Sequence, residues 1–196
     1  MRILLARHGQ AEWQTTRSGD LDSPLTGDGH RQAAALAAWL ARHPEGIGAV
    51  RVSPLIRARQ TAEHLCAALG LPAVVLDTLK EAPFRVVDEL AHPRGPLDPT
   101  PNGDLPSARY AAFREQVASA LSELCATAAT LAPQAPVLAV THGGVIKTLL
   151  RILTGSDLVD FEISNTGMTA LEWRHGRWRV DSMNLRDHLS ADLRAS

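Results

Sequence analysis

Arg2-Ile3-Leu4-Leu5-Ala6-Arg7-His8-Gly9 opens the chain with a short apolar run that stops at a His and a Gly. A run this short, without polar alternation, reads as a strand buried on both faces. The design returns at Pro136-Val137-Leu138-Ala139-Val140-Thr141-His142-Gly143-Gly144. Each stretch places a His at the carboxyl end of a buried strand, with Gly beside it. Gly lets backbone approach a ligand closely. At the second junction a helix begins at once, and its free N–H groups and dipole favour an anion. A single His is more often structural. Two at matching strand ends, one of them beside Arg7, point to anion chemistry.

Outward from these stretches, apolar runs alternate with helical periodicity. Thr26-Gly27-Asp28 opens a helix that runs to about Arg42, with Ala33, Leu36, Ala37 and Leu40 on one face. The Thr26 hydroxyl can accept from the first turn as an N-cap, and His43-Pro44 ends the helix. Ile47 to Val52 reads as a second strand, Pro54 or Leu55 to about Gly70 as a second helix, and Ala73 to Leu76 as a third strand. Residues 81–106 are rich in Pro and Gly and have no period, as in a functional loop. A long helix covers about Ser107 to Leu131. After the Pro136 to Val140 strand comes a helix to about Leu153, then strands at Met168 to Trp173 and Trp178 to Met183. The polar tail, residues 185–196, is expected to fray. The alternation predicts an α/β fold: a three-layer α/β/α sandwich around a mostly parallel sheet, in one domain spanning residues 1–196. Ligands of such sheets bind at the carboxyl ends of the strands.

Composition excludes several classes of function. The 196 residues are 45% apolar and 21% charged, which is ordinary for a globular chain and unlike a disordered one. A net charge of -1 gives no global field for nucleic acid or an acidic membrane, so any phosphate site depends on local Arg positions. No segment reaches ~18 uninterrupted apolar residues, and the opening run is too short for a signal peptide. Cys66 and Cys125 form no CxxC and read as buried free thiols. A reducing cytoplasm is the default expectation. The Cys and His spacing shows no zinc motif, no paired-carboxylate magnesium motif stands out, and no cofactor is expected.

Ser53-Pro54-Leu55-Ile56-Arg57-Ala58-Arg59-Gln60-Thr61-Ala62 also follows a strand. A helix dipole disfavours cations in its first turns, so Arg57 there makes sense if an anion sits nearby. With this segment the chain resembles the histidine phosphatase superfamily, also called phosphoglycerate-mutase-like, from Met1 to about Trp173. Arg7-His8-Gly9 resembles its RHG signature, and Pro24 to Ala33 its L-T-x-x-G-x-x-Q-A helix start. Ser53 to Ala62 resembles S-x-L-x-R-A-x-Q-T-A, and Thr141 to Gly144 the motif of the second His. Asn165-Thr166-Gly167-Met168-Thr169 resembles a late Asn-containing turn.

The resemblance implies that His8 is a nucleophile forming phosphohistidine, and that Arg7, Arg57 and His142 clamp the phosphoryl oxygens. Gly9, Gln14, Thr26 and Gly143 are the further expected phosphate contacts. Many members carry Asn where this chain has Gln14, whose amide can still donate. The implied general acid is Glu81, in Leu79-Lys80-Glu81. The residues after it depart from the family pattern, so Asp88 and Glu89 stay open as alternatives. His92, Arg85 and Arg94 share the loop and could meet substrate, whereas His30, His43 and His64 read as surface. The implied activity is metal-independent hydrolysis of a small phosphomonoester. Mutase-type transfer and a non-catalytic phosphate-binding module are the competing readings. The exposed late strand could pair with a second subunit, so a homodimer is an expectation.

Overall fold

Side chains alternate across a strand, so a continuous apolar run must be covered on both faces. The computed structural model, which describes residues 1–16, 22–42, 46–95, 97–101 and 106–195, meets that demand with three layers. In chain order the elements are β1 (Arg2–Arg7), α1 (Glu12–Thr16), α2 (Gly27–Ala41), β2 (Ala49–Val52), α3 (Ile56–Leu69), β3 (Ala73–Val75), β4 (Pro93–Gly95), β5 (Asp98–Pro101), α4 (Ala108–Ala129), β6 (Val137–Thr141), α5 (Gly143–Thr154), β7 (Met168–Arg174), β8 (Arg177–Leu185) and α6 (Ala191–Ala195). The central sheet has the order β3-β2-β6-β1-β7-β8. Its first four strands are parallel, and β7 and β8 are antiparallel additions. The expected mostly parallel α/β/α sandwich is the observed one.

The opening run shows how the layers form. Ile3 and Leu5 point toward α4 and α5, packing with Val117, Leu124, Ile146 and Leu149. Leu4 and Ala6 point the other way, toward Leu36 and Leu40 of α2 and Leu65 of α3. Burying each such side chain contributes roughly 1.5–3 kcal/mol against leaving it in water. Register then aligns the strand ends. Arg7 pairs with Thr141 and Val52 with Val140, so His8, Ser53 and His142 leave the sheet at one level. Backbone bonds lock the junctions: His8 N donates to Thr141 O at 2.9 Å and Ser53 N to Val140 O at 3.0 Å.

Three segments differ from the sequence reading. Residues 12–16 form the short α1, where the sequence predicts no regular element. The loop after Glu81 holds a 3₁₀ turn, Val86–Glu89, and the β4–β5 ribbon. The tail is docked rather than frayed: Leu189 and Leu193 are buried, and Gln32 Nε2 donates to Leu193 O at 3.1 Å. Its scattered leucines supply an anchor that polar composition hides. His43 lies outside the described residues. Cys66 and Cys125 are free thiols and half-buried.

Candidate active site

Four of the singled-out residues meet at the strand ends as an apposed group. His8 follows β1 and is 2% exposed. Its Nδ1 lies 2.6 Å from Gly9 O, which can only accept, so Nδ1 carries the proton. The lone pair is then on Nε2, which accepts from Arg57 Nε at 3.2 Å. Burial, then the neighbouring His142, Arg7 and Arg57, hold the His8 pKa well below its ordinary value. His8 is therefore a neutral imidazole with its free electron pair facing a guanidinium.

His142 packs behind it with ring centroids 5.1 Å apart. It is fully buried, and its Nε2 sits 2.7 Å from Ser53 Oγ. Burial first, then Arg57 and Arg7, also lower its pKa well below the ordinary value. Arg7 is tied at one end, where Nη1 donates to Ile163 O at 2.7 Å. Arg7 Nε and His142 Nδ1 are buried without a hydrogen-bond partner among the described residues. Buried polar groups are normally paired, so two orphans beside one imidazole mark a place that receives a polar group.

Glu81 completes the group from the far side. One carboxylate oxygen accepts from Ala82 N and the other from Gly144 N, both at 3.0 Å. The first turn of α5 thus gives an N–H to a carboxylate of the protein itself. A Cβ at Gly144 would collide with that carboxylate, which explains the glycine. Burial raises the Glu81 pKa, against the pull of the two backbone donors, Arg57 and Arg7. The result is a carboxyl that holds its proton longer than usual, close to cations.

Arg7, His8, Arg57, Glu81 and Gly143 line one cleft of about 790 Å³, with Trp13, Leu55, Phe84, Val86, Val87, Lys147, Arg151 and Asp160 forming its outer walls. The structure does not bring the other expected contacts to this cleft. The Thr26 hydroxyl caps α2, accepting from Gly29 N at 3.0 Å and donating to Gln10 Oε1 at 2.7 Å. Gln14 spends its amide on Asn165 Oδ1 at 3.0 Å. Gly9 positions His8 instead, and a Cβ there would lie 2.5 Å from Gly29 O. Of the alternative acids, Glu89 is paired with Arg109 and drawn down to about 2 by that bond and by Ser107. Asp88 faces Arg85 at 3.8 Å. Neither lines the cleft. Arg85 does, whereas His92 and Arg94 are exposed outside it. His30 and His64 are half-buried and face each other at 3.1 Å.

Sequence reasoning missed the supports. Ser53 orients His142, and Thr61 Oγ1 accepts from Gly9 N at 3.1 Å. Asn165 Nδ2 donates to His8 O at 3.0 Å, and Thr166 N reaches Arg7 O at 3.1 Å. His188 Nε2 meets Thr166 Oγ1 at 3.0 Å and ties the tail to this turn. For Ser53 the available signal was its place directly after a strand. No group of three or more His, Cys, Asp or Glu able to hold a metal occurs among the described residues.

Known proteins resemble this chain over nearly its whole length. The family profile of the histidine phosphatase superfamily (branch 1) matches residues 3–186. An uncharacterized phosphatase, PhoE, of Bacillus subtilis is 29% identical over 200 residues, covering 98% of each chain. A "Probable phosphoglycerate mutase GpmB" of Klebsiella pneumoniae is 27% identical over 212 residues, covering 97% of this chain and 96% of its own. Among solved structures, a mutant phosphoserine phosphatase of Entamoeba histolytica in complex with phosphoserine superposes with a TM-score of 0.73. It is 25% identical and covers 96% of this chain and 99% of its own.

Proposed function

We propose that this chain, which belongs to the histidine phosphatase superfamily (branch 1), hydrolyses a small phosphomonoester through a phosphohistidine on His8. One observation carries the reading. The neutral His8 imidazole has its proton fixed on Nδ1 by Gly9 O and its electron pair on Nε2, in a cleft where Arg7, Arg57 and a raised-pKa carboxyl stand beside it.

In the first step the Nε2 electron pair attacks phosphorus. The P–O ester bond breaks, and the Glu81 carboxyl gives its proton to the departing oxygen. Arg57 moves from Nε2 to a phosphoryl oxygen, and Arg7 and His142 supply their unpaired N–H groups to the others. Fixed donors of this kind provide most of what phosphoryl transfer needs. Gly9 O keeps the Nδ1 proton and steadies the imidazolium character of the intermediate. In the second step the Glu81 carboxylate takes a proton from water as the water oxygen attacks phosphorus. The P–N bond breaks, its electrons return to Nε2, and Glu81 is protonated again. One water is consumed, and an alcohol and phosphate leave.

Resemblance to the named mutase favours a second reading, in which phosphate moves between positions of a phosphoglycerate. One experiment separates the two. Wild type and His8→Ala are given a set of small phosphomonoesters in EDTA, and released phosphate is measured. Release by wild type, with a loss of roughly a thousandfold or more in the variant, is the expected result. Interconversion of phosphoglycerates with little release would favour the mutase. No turnover by folded protein would leave a phosphate-binding module.

A further inference from the structure

The far wall of the cleft holds a second cationic group that the phosphoryl chemistry does not use. Gly144, Lys147 and Arg151 all line the cleft and lie on one face of α5, three and then four residues apart. Gly144 touches Glu81, so this face leads from the reacting centre outward. At ~1.5 Å of rise per residue, Arg151 stands about 10 Å along the axis from Gly144. Helical Cα–Cβ bonds tilt toward the helix N-terminus, the end of α5 where His142 packs against His8.

Arg151 is 2% exposed, rare for an arginine without full pairing. Its Nη2 donates to Asp160 Oδ1 at 3.2 Å. Nε and Nη1 are buried with no hydrogen-bond partner among the described residues. Asp160 is also shared, since Lys147 Nζ reaches its two oxygens at 2.9 and 3.1 Å. One carboxylate thus faces two cations and leaves a surplus positive charge. Placement near the C-terminal end of α5 explains the sign of Arg151 through the helix dipole, but does not explain burying a guanidinium with open donors. A planar fork with unpaired N–H groups suits a carboxylate or a second phosphate. Phe84, Val87 and Ile163 line the same cleft and would cover the carbon skeleton between the two anions.

We infer that Arg151 and Lys147 form a second-anion subsite, so that the preferred substrate is a small phosphomonoester carrying another anionic group on its alcohol portion. This inference rests on the phosphomonoesterase reading of the His8 centre. It makes Arg151 and Lys147 specificity residues, with no part in bond breaking.

The test compares 3-phosphoglycerate with glycerol 3-phosphate, which has a neutral hydroxymethyl in place of the carboxylate. p-Nitrophenyl phosphate is run first as a check on the His8 centre. Wild type should favour 3-phosphoglycerate in kcat/KM, and Arg151→Gln and Lys147→Met should each lower that preference roughly tenfold or more. Lys147 is partly exposed, so its variant serves if the buried Arg151 cannot be replaced without unfolding. Equal kcat/KM for the pair in wild type, or a preference that survives in the folded variants, would overturn the subsite. Failure to hydrolyse even p-nitrophenyl phosphate would instead fault the reading of the His8 centre. Calorimetric affinities for the same pair would then decide the subsite alone.

Discussion

Glu81 is the residue whose environment makes the sharpest demand. Burial pushes its pKa above the ordinary 4.5, while burial and cationic neighbours push His8 well below 6.5. The proposed mechanism needs Glu81 protonated and His8 neutral. Activity therefore falls as pH rises through the raised Glu81 value, and falls again as pH drops through the depressed His8 value. For substrates whose leaving oxygen must be protonated, the optimum lies between the depressed His8 value and the raised Glu81 value. Glu81→Gln keeps the shape but cannot release a proton. It should slow alkyl phosphates by about 10²–10⁴-fold and remove their alkaline limb, while p-nitrophenyl phosphate, a good leaving group, loses much less. Equal losses on both substrates, with the alkaline limb retained, would take the acid role from Glu81. The residues at the strand ends were legible because a short apolar run ending in His and Gly has few other readings. Thr61, 52 positions from Gly9, and Asn165, 157 from His8, were not legible as supports. Their roles exist only once the sheet has brought the junctions together.

At the scale of elements, the tail shows how packing overrides composition. Residues after β8 are mostly polar, yet Leu189 and Leu193 are buried and α6 rests on α2. His188, in the same tail, reaches Thr166, whose N–H holds the Arg7 carbonyl. Leu193→Ala should cost about 2 kcal/mol, the low end for a buried leucine, read as a shift in the urea midpoint at unchanged slope. A shift too small to measure would mean that the tail contributes nothing to the fold. The long helices and central strands were readable because their period extends over many residues, as along Tyr110, Phe113, Val117 and Leu124 of α4. The five-residue α1 and the three-residue β4 are too short to show a period. Their positions follow from tertiary contacts rather than local preference.

Across the whole molecule, the sheet's parallel strands gather His8, Ser53 and His142 at one edge, and α5 carries a graded line from Gly144 through Lys147 to Arg151. Under the proposed function, the phosphoryl group and the rest of the substrate occupy opposite ends of one cleft. A net charge of -1 supplies no global field for phosphate, so any attraction would rest on local cations such as Arg7 and Arg57. No helix among the described residues is long and apolar enough to cross a membrane. The family was legible because its motifs occur in order along the chain. The substrate was not, because it depends on the walls of the cleft, where residues 82–87 and α5 meet. The central claim is the covalent step. Turnover of p-nitrophenyl phosphate in EDTA, quenched in alkali and followed by peptide mass spectrometry, tests it directly. The account predicts one phosphoryl group on the peptide containing His8, stable in alkali, lost in acid and missing from His8→Ala. Full turnover by His8→Ala, or a phosphoryl group on another residue, would contradict it.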